Sequence, residues 1–260
     1  MVLFQKMITI TNPKIAGFEP IWAKFNGFSL LFDNADNHLM PMAKDLRKLD
    51  FALESNPDLR LFKMLADTVN SVGQQLLIHT YLFCPLPPSS YHVTVLDGLN
   101  EGNLHQVNDK HRPAIDDFLK NLPDSFLTNK RFNSIVEESL LLNRKDWNIQ
   151  FKLDRLLNWG NQSVVASLLP VAPYSANYAA FVEEHRILAG KIRNEFGIHV
   201  SSDFYPHLTL GYFGNAQLAK IFTSQISEWT SFLKNEMAEC TIAFNSISLY
   251  GFTDMITFFK

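Results

Sequence analysis

A four-residue pattern occurs twice in this chain of 260 residues. Tyr91-His92-Val93-Thr94-Val95 and Tyr205-Pro206-His207-Leu208-Thr209-Leu210 both contain His, apolar, Thr, apolar, and each stands after a Ser-Ser pair and a Tyr. The alternation is that of a β-strand, whose successive side chains point to opposite faces. His92 and Thr94 are therefore expected on one face with Val93 and Val95 in the core, and His207 and Thr209 repeat this against Leu208 and Leu210. The copies lie 115 residues apart, each after a helical stretch and each followed closely by glycine, Gly98 in one case and Gly211 and Gly214 in the other. A chain duplicated in this way is expected to fold as two related halves whose equivalent strands face one cleft.

The remaining pattern fits mixed strands and helices without strict βαβ repetition, which predicts an α+β sheet system with antiparallel pairing. Residues 1 to 26 carry scattered Pro and Gly and read as an irregular N-terminal arm, followed by one domain over 27 to 260. Gly27 to Phe32 reads as a buried strand, Met42 to Leu53 as a helix whose Lys44, Arg47 and Lys48 face solvent, and Leu77 to Phe83 as a second strand. Asn56 and Pro57 open a helix carrying Leu61, Leu65, Val69 and Val72. Ile149, Phe151 and Leu153 alternate with polar residues, and after Gly160-Asn161 the run Val164 to Pro170 completes a hairpin. Ser175 caps a long helix that Gly197 stops, Asn215 caps another through Leu218, Phe222, Trp229 and Phe232, and Thr241 to Tyr250 and Phe252 to Phe259 close the chain as strands.

Composition excludes several classes. With 23 Lys and Arg against 26 Asp and Glu, the net charge of −3 argues against a polyanion-binding surface. A content of 47% hydrophobic and 13% aromatic residues is enough for a large core. No apolar run reaches the roughly 18 residues of a spanning helix, and Met1 to Pro20 lacks the pattern of a signal peptide, so a cytoplasmic protein without membrane association is expected. Cys84 and Cys240 cannot make a disulfide framework and read as buried thiols. There is no Walker-type loop, no Gly-x-Gly-x-x-Gly, and no second histidine at zinc spacing from His185, so neither cofactor nor metal is expected. His79 reads as a structural histidine in a strand, and His105 and His111 as solvent-facing loop residues.

Two imidazoles across a cleft suit phosphodiester chemistry. An ordinary histidine titrates near pH ~6.5, so one ring can accept a proton from an attacking oxygen while the other donates to the departing one. Hydroxyls two residues further on can hold the non-bridging oxygens as charge develops.

These motifs resemble a known family. His92-Val93-Thr94-Val95 and His207-Leu208-Thr209-Leu210 look like the twin His-x-Thr-x motifs of the two-histidine (2H) phosphoesterase superfamily, which includes RNA 2′,3′-cyclic phosphodiesterases and other nucleotide phosphodiesterases. Pro87-Pro88-Ser89-Ser90-Tyr91-His92 and His207 to Phe213 resemble a mostly uncharacterised bacterial branch of it. The resemblance implies a bilobal fold, two antiparallel-rich sheets related by a pseudo-two-fold axis around a central groove with helices outside. It implies His92 and His207 as general acid and base and Thr94 and Thr209 as phosphate ligands. A site of this kind needs no metal, and a monomer acting on a cyclic phosphate or a short 2′,5′-linked nucleotide is expected. Members often carry an Arg soon after the second motif, where this chain has Gly211-Tyr212-Phe213. That difference and the acidic charge favour a small nucleotide over long RNA. Tyr91, Tyr205, Tyr212 and Phe213 are candidates to stack on a base, and the loops Asp97 to Asp109 and Trp159 to Gln162 are expected to set specificity. A nucleotide-binding module without turnover and an RNA end-processing enzyme are the alternatives.

Overall fold

The computed structural model describes residues 9–17, 21–34, 39–42, 45–49, 53, 56–128, 135–237 and 239–260. In chain order the elements are β1 (Gly27–Phe32), β2 (Leu39–Pro41), β3 (Arg47–Leu49), α1 (Arg60–Ser71), α2 (Gln74–Tyr81), β4 (Phe83–Pro85), β5 (Thr94–Asn100), α3 (Arg112–Lys120), α4 (Asp124–Thr128), α5 (Leu140–Asn143), β6 (Ile149–Trp159), β7 (Ser163–Pro170), α6 (Ala176–Phe196), β8 (His207–Phe213), α7 (Ala216–Ile221), α8 (Thr223–Glu236), β9 (Thr241–Phe244), β10 (Ile247–Phe252) and β11 (Phe258–Phe259). They build an α+β fold with two antiparallel sheets, ordered β2-β3-β11-β10-β1-β5 and β4-β8-β7-β6-β9. The two are joined by an isolated antiparallel bridge between Val93 and Leu208. Reading outward from that bridge, β5, β1 and β10 on one side correspond to β8, β7 and β6 on the other.

One aromatic cluster holds the sheets together. Phe32 at the end of β1 lies 4.7 Å from Phe244 of β9, 5.8 Å from Phe151 of β6 and 5.4 Å from Phe181 of α6, measured between ring centroids. All four rings are buried, so each sheet fills the other's core. The α6 helix begins as the sequence indicates, with the Ser175 hydroxyl accepting from the Tyr178 amide, and ends at Gly197 in the left-handed region with φ +80°. The β6–β7 hairpin also forms as expected, with Asn158 opposite Val164 and Trp159 opposite Ser163.

Five sequence expectations are corrected. In place of a helix over Met42 to Leu53 the described residues carry strand β3, because it pairs with β2 on one side and on the other Arg47 and Lys260 exchange backbone hydrogen bonds and Lys48 pairs with Phe259 of β11. Arg47 and Lys48 thus belong to a strand, and Lys44 lies outside the described residues. The apolar run Leu77 to Phe83 is mostly helix α2, which ends at Leu82 with φ 47° before β4 starts. Such a short run satisfies either period, and packing decided it. The helix after Asn215 breaks at buried Phe222, which stacks on Phe83. The stretch Thr241 to Tyr250 divides into β9 and β10, which enter different sheets, and the expected strand Phe252 to Phe259 is broken after Phe252, where Asp254 turns the chain between β10 and β11 by accepting from the Ile256 and Thr257 amides.

The N-terminal arm is irregular where described, with one bridge between Ile15 and Trp22, and residues 1–8 and 18–20 lie outside the described residues. It is anchored on the second sheet, with the Thr11 and Asn12 amides donating to the Gly214 carbonyl. Among the described residues no helix is long and apolar enough to cross a membrane.

Candidate functional site

The two motifs meet at the junction of the sheets. Val93 and Leu208 are fully buried, as are Val95 and Leu210, while His92, Thr94, His207 and Thr209 are half-buried and line one cleft of about 430 Å³. The strand alternation read from the sequence therefore holds at both copies. The antiparallel register about Val93 and Leu208 places His92 across from Thr209 and Thr94 across from His207.

Each imidazole is fixed in the same way. Nδ1 of His92 lies 2.7 Å from the Ser90 carbonyl oxygen, and Nδ1 of His207 lies 2.8 Å from that of Tyr205. A carbonyl can only accept, so both Nδ1 atoms carry hydrogen and Nε2 is the nitrogen left to meet a ligand. Each ring also rests on an aromatic partner. His207 stacks on Trp159 with centroids 5.0 Å apart and planes 14° apart, and His92 lies 4.4 Å from Phe258.

Bulges decide what else reaches the cleft. In β8, Val164 pairs with Gly211 and Val165 with Thr209, so Leu210 is an extra residue and Tyr212 returns to the face of His207 and Thr209. In β5, Leu30 and Leu31 pair with Leu96 and Thr94, and Gly27 and Ser29 pair with Asn100 and Asp97. Two extra residues thus bring Thr94, Asp97 and Asn100 to the cleft at every third position. A glycine follows in each motif strand where a neighbouring main chain comes close: a Cβ on Gly98 would meet the Phe28 carbonyl oxygen at 2.2 Å, and one on Gly211 the Cys84 carbonyl oxygen at 2.5 Å. The repeated glycines of the sequence are part of the repeated bulged strands.

The electrostatics differ between the two halves. Burial pushes the His92 imidazole down to about 4, an effect the Ser90 hydrogen bond opposes and the positive charges of His207 and Lys14 reinforce. His92 is accordingly a neutral base at neutral pH. The cation comes from the arm: Lys14 lines the cleft, its Nζ 3.3 Å from the Tyr212 hydroxyl and 4.6 Å from the centre of that ring.

Not every residue expected at the site is there. Tyr91 is 1% exposed and packs edge-on against Phe62 of α1, and Phe213 is fully buried against Phe83. Both face away from the cleft, Tyr91 because it precedes His92 in the alternation and Phe213 because the bulge gives the cleft face to Tyr212. Tyr205 is exposed beside an adjoining pocket that shares Thr94, Asp97, Trp159 and His207 with the cleft. From the two loops expected to set specificity, Asp97 and Asn100, and Trp159, Gly160 and Gln162, line the cleft. His79 is exposed on helix α2, not in a strand, and His105 is exposed as expected. His111 is buried instead of solvent-facing, packed on Phe196 with Nε2 3.4 Å from a Glu195 oxygen. His185 is buried in α6 beside Phe204. Among the described residues no group of three or more His, Cys, Asp or Glu side chains is arranged to hold a metal ion.

Lys14 and Phe258 were missed by sequence reasoning. Neither carries a local signal, since one is a lone lysine in an irregular segment and the other one of 22 phenylalanines.

No family model and no curated protein matches the chain. Among solved structures, it is similar to the crystal structure of a conserved protein of unknown function from Agrobacterium tumefaciens, at 12% identity and a TM-score of 0.55, over 94% of this chain and 88% of that one, a likeness that extends to the fold alone.

Proposed function

We propose that this protein is a phosphodiesterase that opens a cyclic phosphate or a short 2′,5′-linked nucleotide with His92 and His207 as its base and acid. The observation that carries the reading is the pair of imidazoles across one cleft, each held through Nδ1 on a main-chain carbonyl and each flanked by a threonine. In the reaction His92 Nε2 takes a proton from the attacking water, the water oxygen bonds to phosphorus, the bond to the leaving ribose oxygen breaks, and His207 Nε2 returns a proton to that oxygen. Thr94 and Thr209 hold the non-bridging oxygens through displacement.

The assignment of roles rests on surroundings. His92 is neutral at neutral pH, as a base must be. An anionic phosphate between the rings replaces repulsion from His207 and Lys14 with attraction, which raises the basicity of His92 when substrate is present. His207 lies flat on the Trp159 indole, whose face attracts a cation and suits a ring that must carry the proton to the leaving group. The acidic net charge and the Asp97 carboxylate in the cleft favour a small ligand over a polymer.

The test is hydrolysis of a panel of 2′,3′-cyclic, 3′,5′-cyclic and 2′,5′-linked nucleotides with and without EDTA. Turnover of at least one class, unaffected by the chelator, is expected. No turnover of any class, or its loss with EDTA, overturns the reading.

A further inference from the structure

We infer that Lys14, carried into the cleft by the N-terminal arm, is the oxyanion-binding cation of this site and that buried Asn12 is the residue that positions it. The inference rests on the phosphodiesterase reading for the identity of the anion, a phosphate ester, but its geometry stands by itself. The Asn12 side chain makes three contacts that fix the arm. Its Nδ2 donates to the Phe213 carbonyl at 2.9 Å and to the Gln162 carbonyl at 3.4 Å, and its Oδ1 accepts from the Lys14 amide at 3.1 Å. One buried amide therefore ties together the end of β8, the β6–β7 turn and the main chain of Lys14.

Beyond that anchor the lysine is held by rings. Nζ lies 4.6 Å from the centre of Tyr212 and 5.3 Å from that of Phe25, and it reaches the Tyr212 hydroxyl. Among the described residues no carboxylate forms an ion pair with it. A half-buried ammonium with no ion pair among the described residues, beside two imidazoles and two hydroxyls, is a preformed place for an anion. Its charge is also felt at His92. Among the described residues, the charged and titratable groups that line the cleft with His92 are Lys14, His207, Asp97 and the Tyr212 hydroxyl. Lys14 brings positive charge to the cleft from a distant part of the chain.

Binding of inorganic phosphate at fixed ionic strength, followed by NMR on the His92 and His207 ring signals, tests this without requiring turnover. Wild type is expected to bind saturably, Lys14→Met and Lys14→Gln at least tenfold more weakly, and Lys14→Arg within a few-fold of wild type. Asn12→Ala is expected to weaken binding in the same direction while Lys14 remains. In the ligand-free protein the His92 titration midpoint should rise in Lys14→Met and stay low in Lys14→Arg. Thermal melts of both neutral variants check that the fold is kept. Equal phosphate affinity in wild type and both neutral variants overturns the role of Lys14 even if cyclic nucleotides are hydrolysed. Lysine-dependent phosphate binding without turnover of any nucleotide instead upholds the anion site and overturns the phosphodiesterase reading.

Discussion

Val93 and Leu208 face each other across an isolated antiparallel bridge, and the pseudo-symmetry of the candidate site is organised around that single contact. Both side chains are fully buried, so the bridge fixes the depth of the two motifs while the residues on either side of it turn outward as His92 with Thr209 and Thr94 with His207. Two sheets that share one bridge present four polar side chains on one surface without any loop intervening.

His92→Gln and His207→Gln should each lower kcat by about 10² to 10⁴ with KM changed much less, because each removes a proton transfer and leaves the threonines in place. Steady-state kinetics on a 2′,3′-cyclic nucleotide checks this. Retention of more than a tenth of wild-type kcat by either variant would rule out a paired mechanism.

The pH dependence carries a sign. The base must be unprotonated, so kcat/KM, which reports the free enzyme, should fall on the acid side only as the pH drops towards about 4, the value at which His92 takes up its proton. The acid limb of kcat should lie at higher pH, since bound phosphate favours protonated His92. Coincident acid limbs near pH 6.5 for both parameters would contradict the assignment of His92.

Tyr91 and Tyr205 should separate cleanly. Tyr91→Ala empties a fully buried site and should cost about 3–5 kcal/mol of stability. Tyr205→Ala, at an exposed position, should stay within about 0.5 kcal/mol and alter only KM. Urea denaturation and kinetics on the two variants measure both quantities.

Gly211→Ala should destabilise by about 1–3 kcal/mol, since the new Cβ would sit 2.5 Å from the Cys84 carbonyl oxygen, which belongs to backbone and cannot swing away. Gly190→Ala on α6, where a Cβ meets nothing within 4 Å, should instead be neutral or stabilising. A comparison of their denaturation midpoints decides it.

Asp33 predicts acid sensitivity. Burial by itself would raise its carboxyl, but the hydrogen bond and charge of Lys260 at 2.7 Å, with hydrogen bonds from Ser246 and Tyr250, hold it below the ordinary value of 3.8. The carboxylate thus contributes stability that is fully present above pH 3.8 and is lost as the pH falls through the lower value of the folded protein. Asp33→Asn should be destabilised by about 3–5 kcal/mol at pH 7, where Lys260 is left half-paired, and the difference from wild type should shrink below pH 3.8. Urea midpoints at pH 7 and pH 3 test the convergence.

The division between sequence and tertiary structure is visible in single residues. Local sequence determined whatever depends on a short repeating period: the alternation of His92 and Thr94 with Val93 and Val95, the β6–β7 hairpin, and the start and end of α6 at Ser175 and Gly197. In these segments the backbone geometry and the burial pattern agree, so the period alone carries the information. Only the tertiary structure decided that Arg47 to Leu49 is a strand inside the first sheet, because beyond its local partner β2 it pairs with Phe259, more than 200 residues away. The bulges at Leu210 and along β5 depend on the strands they pair with, and they send Tyr212, Asp97 and Asn100 to the cleft while Phe213 turns into the core. Lys14 is the extreme case, since its place is set by Asn12 bonding to carbonyls 150 and 201 residues away. The two histidines were legible because strand geometry repeats locally, whereas the cation that faces them depends on chain crossings that no local pattern encodes.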